Sequence, residues 1–268
     1  MPLSATEIAA FINRLCDAAA LETLPRFRAA TPVTNKEANS FDPVTEGDRE
    51  AERAIRSLIT AEYPDHGIIG EEFGSVLEDA EFQWIIDPID GTRAFISGLP
   101  VWGTLIGLYR KGKPFAGAMD QPFTRERFVA VPTDDGSCST SLILDGGPPA
   151  RLETRRTATL GEATLMTTSP HLFTANDERA RYDSLEKQVN MARYGCDCYA
   201  YAMVAAGQID LVVESGLNIY DIAALIPIVE GAGGIVTDWQ GNDAHQGGQV
   251  LAAANKVLHQ QAKDALNV

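Results

Sequence analysis

Apolar positions recur at helical spacing at the start of the chain: Ile8, Phe11, Ile12 and Leu15 fall on one face, and Ser4 with Glu7 forms an S-x-x-E capping box just ahead of them. The spacing predicts a long amphipathic helix ending near Pro25. The polar segment TPVTNKEANSFDPVTEGD follows, and its Pro, Asn and Ser content predicts a loop. A second helix is predicted through DREAERAIRSLITAEY, with Ala54, Ile55, Leu58 and Ile59 inward and a stop before Pro64. From Gly67 the pattern turns to short apolar runs between turn residues: GIIGEE, QWIIDP, WGTLIGLYRKGKPFAGAMDQP and RERFVAVPTDDG. These read as strands, with YRKGKP as a hairpin turn. Beyond about residue 150 helices and strands alternate: DERARYDSLEKQV, QVNMARYG, CYAYAMVAAGQ, IDLVVES, YDIAALIPIVEGAG and GIVTDW. The expectation is an α+β half over residues 1–150 with a large, mostly antiparallel sheet, and an α/β half over residues 151–268 that completes a site. No internal repeat or low-complexity stretch interrupts this reading.

At 268 residues the chain is long enough for a large core. Its 22 basic and 37 acidic residues give a net charge of −15. A surface field of that sign argues against nucleic acid and anionic membranes as partners, and an anionic substrate needs local help from cations or backbone N–H groups. No stretch has the length of a transmembrane span, and MPLSATEIAAFINRL lacks a basic region followed by an apolar one, so a cytoplasmic protein is expected. The four cysteines, Cys16, Cys138, Cys196 and Cys198, are too few and too unevenly placed for a disulfide framework. Cys196-Asp197-Cys198 has no second Cys/His pair to complete a zinc site, so reduced structural thiols are expected.

That charge excess gives meaning to WIIDPIDGTRAF, where Asp87 and Asp90 end an apolar run. Glu71 and Glu72 end another in GIIGEEFG, and Asp221 stands at a predicted helix start. Taken singly, D-x-x-D-G-T is a turn with a cap, Glu71-Glu72 a solvated pair and Asp221 a helix cap. Taken together, these acids occur where elements end and backbones converge. Such a cluster repels itself and loses hydration, at a cost of several kcal/mol, unless protons or cations offset it. Hard oxygen donors without histidine favour Mg²⁺. A helix beginning after Gly91 would aim the N–H groups of Gly91 and Thr92 at a phosphate, and Pro88 helps aim both aspartates one way. Metal on one side and amides on the other describe a phosphoryl-transfer site. An aspartyl-phosphatase motif, D-x-D-G-T, is excluded because Asp87-Pro88-Ile89-Asp90 is one residue too long; a G-x-x-x-x-G-K-[ST] loop is absent, and GAGGIV lacks dinucleotide spacing.

WIIDPIDGT and YDIAALIPIVEGAGG resemble the two signatures of the inositol monophosphatase superfamily, and the resemblance runs from about residue 5 to 260. It implies a layered α-β-α-β-α fold, a homodimer, and hydrolysis of phosphomonoesters by direct attack of a metal-activated water with two to three Mg²⁺ ions. Carried over by position, Glu71, Asp87 and the Ile89 carbonyl hold one ion, Asp87, Asp90 and Asp221 a second, and Glu71 touches a third. Thr92 and Glu71, with Asp48 behind Thr92, orient and deprotonate the water. The Gly91 and Thr92 amides hold phosphate, and Glu72 supports its turn.

FDPVTEGDREAE, DGTRAFISGLPVWGTLIGL, YGCDCYAYAMVAAGQIDLVVESGLNIYDIAAL and GGIVTDWQG are more similar to the histidinol-phosphate phosphatase branch than to the inositol branch, whose second signature usually begins Trp-Asp where this chain has Tyr220-Asp221. That branch places an Asp at the position of Asp197 in a Gly-Gly-Asp-Cys-Tyr context; Cys196 departs from the second Gly. Asp197, Glu214 and Asp221 are the expected contacts for a cationic substrate tail. Arg193 either pairs with Asp197 or approaches the substrate's anionic end. Lys36 in the polar segment is either a solvated lysine or a residue that closes over the site. An inositol-1-phosphate phosphatase is the neighbouring alternative, and a non-catalytic metal- or phosphate-binding regulator on the same scaffold is the alternative of another class.

Overall fold

Ser4 opens helix α1 (Ala5–Thr23) as the capping pattern predicts: its hydroxyl accepts the Glu7 N–H, and the Glu7 carboxylate accepts the Ser4 N–H. The computed structural model describes residues 4–29, 33–35, 43–175 and 177–267. Lys36 lies outside the described residues. The segment predicted to be a loop instead pairs at its two ends, with β1 (Val33–Asn35) antiparallel to β2 (Pro43–Thr45). Thr and Val suit extended backbone, and Pro43 sits where a two-stranded ribbon tolerates a missing donor, which outweighs the turn-forming composition. The segment's last residues belong to α2 (Glu46–Glu62), whose buried stripe is Ala51, Ile55 and Ile59 with the polar Asp48 and Glu52 beside it.

Eight strands form the large sheet: β3 (Gly67–Gly70), β4 (Gly74–Val76), β5 (Phe82–Asp90), β6 (Gly103–Arg110), β7 (Lys113–Gln121), β8 (Glu126–Pro132), β9 (Cys138–Leu144) and β10 (Ala150–Arg151). Their order is β10-β9-β8-β7-β6-β5-β3-β4, and every pairing is antiparallel except β3 with β5. The short helix α3 (Thr92–Ile96) leaves the end of β5. A second, mixed sheet is built from β11 (Thr164–Thr167), β12 (Met191–Tyr194), β13 (Leu211–Leu217), β14 (Ile235–Thr237) and β15 (Gly248–Ala253), in the order β12-β11-β13-β15-β14. The remaining helices are α4 (Glu178–Glu186), α5 (Asp197–Ala205), α6 (Ile219–Ile222), α7 (Leu225–Gly231) and α8 (Lys256–Leu266). YDIAALIPIVEGAG, predicted as one helix, is thus two. Pro227 has no N–H to donate to Ala223 four residues back, and the helix breaks there.

Alternation along the strands stacks these elements in α-β-α-β-α layers. Ile106 and Leu108 face α1 and α2 in one core, together with Trp84 and Ile86. Leu105 and Met119 face the opposite way, into a core shared by α5, α7 and the inner side of the small sheet at Val212, Val250 and Ala252. Leu211, Val213 and Leu251 point outward against Tyr182 and Leu185 of α4 and Leu258 and Ala262 of α8. No helix among the described residues is long and apolar enough to cross a membrane.

The middle layer comes close to the large sheet because Gly107 and Gly117 carry no side chain. A Cβ on Gly107 would stand 2.9 Å from the Ala223 Cβ, and one on Gly117 would stand 2.9 Å from the Ala224 Cα. Replacing either glycine by alanine should therefore push away the α6–α7 junction and destabilise the protein by about 1–3 kcal/mol, read from urea denaturation midpoints. Equal midpoints for both variants and the wild type would show that the layers are not in such close register.

Candidate active site

Residues three apart on a regular strand point to opposite faces, so Asp87 and Asp90 would be separated if β5 were regular. Ile85 and Asp87 face the middle layer, whereas Trp84 and Ile86 face α1 and α2. Opposite β6, Asp87 pairs with Leu105 and Asp90 with Gly103, so β5 spends one more residue than its partner. This bulge at Pro88-Ile89 returns Asp90 to the side of Asp87. The bulge is held by two local bonds: Ile89 N–H to Asp87 Oδ1 at 3.0 Å, and Thr104 Oγ1–H to the Pro88 carbonyl at 2.8 Å. Gly91 then turns the chain into α3 with φ of 81°, a left-handed value suited to glycine, and lies 3.2 Å from Asp197 at its would-be Cβ.

Asp221 arrives from the middle layer. It is the third residue of α6, and its Oδ2 accepts the Asn218 N–H at 2.6 Å. It is therefore both a cap and a cleft acid, the two readings that the sequence left open. One carboxylate oxygen from each of Asp87, Asp90 and Asp221 lies within 4.8 Å of the others. Glu71 joins them in the lining of a cleft of about 300 Å³ that also includes Ile89, Gly91, Thr92, Asp197 and Glu214. The Glu71 N–H is tied to the Ile86 carbonyl at 3.2 Å, which fixes the turn after β3 to β5.

The electrostatics follow from that convergence. Burial, then the charges of Glu71, Asp90 and Asp221, push the Asp87 carboxyl far above its ordinary range. Burial, then Asp197 and Asp221, do the same to Asp90, partly opposed by the Cys198 N–H that donates to Asp90 Oδ2 at 2.7 Å. Three converging hard oxygen donors that repel one another fit a divalent cation, whose charge would reverse both shifts. The cleft therefore accommodates the metal that the acidic motifs imply.

Two residues expected at the site stand apart from this lining. Asp48 is buried at the start of α2, where its carboxylate accepts the Thr45 N–H at 2.8 Å. Burial lifts its carboxyl to about 7, and Glu71 and Glu72 add to the shift. The Thr92 hydroxyl donates to the Ile89 carbonyl at 3.1 Å, so its single proton is directed there and not to Asp48. Arg193 is exposed on β12 and does not line the cleft; its charge acts on Cys196. All four cysteines are free thiols.

The sequence reading missed Arg93, Thr168 and Tyr201. Arg93 lines the cleft and offsets part of the rise that burial imposes on Asp197. Thr168 directly follows β11; its N–H donates to Glu214 at 2.6 Å, and its side chain bonds Asp197, so one residue ties two acids together. Tyr201, on α5, puts a fully buried hydroxyl at the cleft floor. Arg93 was legible as the neighbour of Thr92. Thr168 required knowing that β11 exists, and TLMT is too short a run to announce it.

Residues 4–267 match the model of the inositol monophosphatase family. The bifunctional phosphatase IMPL2, chloroplastic, of Arabidopsis thaliana is 43% identical over 98% of this chain and 77% of its own length. A histidinol-phosphatase of Mycobacterium tuberculosis is 35% identical over 84% of this chain and 85% of its own. Among solved structures, an inositol monophosphatase from Zymomonas mobilis matches with a TM-score of 0.84 and 39% identity over the whole of both chains. Enzymes of that family depend on metal ions, in keeping with the three converging carboxylates. This chain belongs to the inositol monophosphatase family and is a phosphatase of it.

Proposed function

We propose that the protein is a Mg²⁺-dependent phosphomonoesterase that hydrolyses L-histidinol phosphate to L-histidinol and phosphate. The observation that carries this reading is a second acidic pair. Asp197 and Glu214 line the same cleft as the Asp87, Asp90 and Asp221 cluster and are joined through Thr168. A cation at the cluster does not need them, whereas a substrate with an ammonium and an imidazole does. Similarity to a histidinol-phosphatase at 35% identity supports the choice. The resemblance further supports a homodimer acting in histidine biosynthesis.

Asp87, Asp90 and Asp221 would hold one Mg²⁺, and Glu71, Asp87 and the Ile89 carbonyl another, with Glu71 reaching a third. When bound, such ions acidify water and neutralise charge on phosphoryl and leaving oxygens. Glu71 accepts the proton of the attacking water, and the Thr92 side chain orients it. Asp48 secures the start of α2 behind them. The Gly91 and Thr92 amides donate to the phosphoryl oxygens. Asp197 and Glu214 receive the cationic tail, and Asp221 faces both the cluster and the leaving group. A second reading, hydrolysis of inositol 1-phosphate, draws on the 39% identity to the Zymomonas mobilis inositol monophosphatase, since a polyol also bonds to these acceptors.

Three measurements test the proposal. In a phosphate-release panel with Mg²⁺, kcat/KM should be highest for histidinol phosphate; faster release from inositol 1-phosphate would select the second reading. Glu71→Gln should lower kcat by about 10²-fold or more, and unchanged turnover removes the assigned mechanism. Asp197→Asn should cut kcat/KM for histidinol phosphate about tenfold or more, as loss of a charged hydrogen bond does, with little effect on inositol 1-phosphate.

Glu214 gives a pH signature. Burial raises its carboxyl from 4.5 to about 7, against the opposing pull of the Thr168 and Thr167 donors. Between those values the folded protein holds a proton that the unfolded chain has released, so this group's contribution to stability falls as pH rises through the window. Glu214→Gln does not titrate. Without metal, its melting temperature relative to the wild type should therefore rise from pH 5 to pH 8; a constant difference would contradict the shift.

A further inference from the structure

Glu52 is a buried carboxylate for which the cleft chemistry has no direct use. It stands on α2 between Asp48 and Arg56 and is 0% exposed. An ionised carboxylate in such a place is costly unless donors surround it. Three do: Oε2 accepts the Glu72 N–H at 2.8 Å, and Oε1 accepts the Phe73 N–H at 3.2 Å and the Arg56 Nε–H at 2.7 Å. Arg56 also donates to the Gly74 carbonyl. Along the same helix, the Arg49 Nε is 3.9 Å from the Glu72 carboxylate. The polar stripe of α2 thus grips the β3–β4 turn, while its apolar stripe packs on the sheet.

Glu71 is the residue between the two anchors of that turn. Its own N–H is fixed to Ile86 of β5, and the next two N–H groups are fixed to Glu52. Gly70 leaves the room for this arrangement, because a Cβ there would overlap the Glu52 carboxylate. We propose that Glu52 is a positioning residue: it aims Glu71 into the cleft by holding the two amides that follow it. This inference rests on the reading of Glu71 as a metal-binding and proton-accepting group.

The test uses the purified full chain with Mg²⁺ as the probe. In Glu52→Gln one acceptor oxygen is replaced by an amino group that faces donors, so the turn loosens. Mg²⁺ affinity, from calorimetric titration and from the half-saturating concentration in phosphate release, should weaken about 10- to 100-fold, as for partners that orient metal ligands. The KM of the preferred monoester at saturating Mg²⁺ should stay unchanged. Gly70→Ala, which displaces the intact carboxylate, should give the same signature, and the double variant should be less than multiplicative. Where Glu52→Gln does not fold, Gly70→Ala carries the test. Wild-type Mg²⁺ affinity in a folded Glu52→Gln overturns the inference, as does a parallel loss of melting temperature, KM and Mg²⁺ affinity that marks general loosening. Glu71→Gln separates the two ideas: wild-type Mg²⁺ affinity there removes the reading of Glu71 itself, whereas weak binding in Glu71→Gln beside normal binding in Glu52→Gln removes only the role of Glu52.

Discussion

Carboxylates held close together away from water repel, and this structure depends on how each one is kept in place without being neutralised by the chain. The device is repeated: a backbone N–H takes one carboxylate oxygen. Ile89 donates to Asp87, Cys198 to Asp90, Asn218 to Asp221, Thr168 to Glu214 and Thr45 to Asp48. A backbone donor fixes orientation without adding a full positive charge, so the repulsion that favours a bound cation persists. An arginine at each acid would have fixed them as well, but would have satisfied the site in advance. Among the described residues lining the cleft, Arg93 is the only basic side chain, and its charge acts on Asp197.

The layers exist to bring these tethered acids to one place. Strand alternation sends Asp87 inward from the large sheet and Glu214, next after the outward Val213, inward from the small one. Asp221 and Asp197 come from helices sandwiched between them. Close approach at Gly107 and Gly117 keeps α6 near enough for Asp221 to meet the strand aspartates. Packing and chemistry are therefore coupled at particular positions: a methyl group on an inner strand face, distant from phosphate, is expected to act on the carboxylate geometry.

How much of this could be read in the sequence follows from which interactions are local. The capping box at Ser4 and Glu7, the faces of α1, and the hairpin at YRKGKP are set by neighbours within a few residues, and they appear as expected. The acids Glu71, Asp87, Asp90 and Asp221 were recognisable because each follows an apolar run or opens a helix. What was hidden is relational. The bulge at Pro88-Ile89 is visible only against the register of β6, the β1–β2 ribbon needs both of its halves, and Thr168 acquires meaning only beside Asp197 and Glu214. Glu52 was invisible for a related reason: on an amphipathic helix a glutamate reads as a solvated residue until a turn is found packed over it.

Net charge gives the last constraint. A phosphomonoester is an anion, and a chain with a net charge of −15 repels it at long range. In the proposed function, binding draws on short-range interactions that water does not screen: cations that the cluster would hold, N–H groups after the bulge, and opposite charge on the substrate itself. The first two operate for any monoester. Only the third distinguishes one from another, and it requires acids that the metal does not need. Asp197 and Glu214 meet that requirement because Thr168 and their burial hold them at the cleft wall instead of in the cluster. In the proposed function, selectivity for an amine-bearing substrate is thus the use of a charge excess that would otherwise only hinder binding.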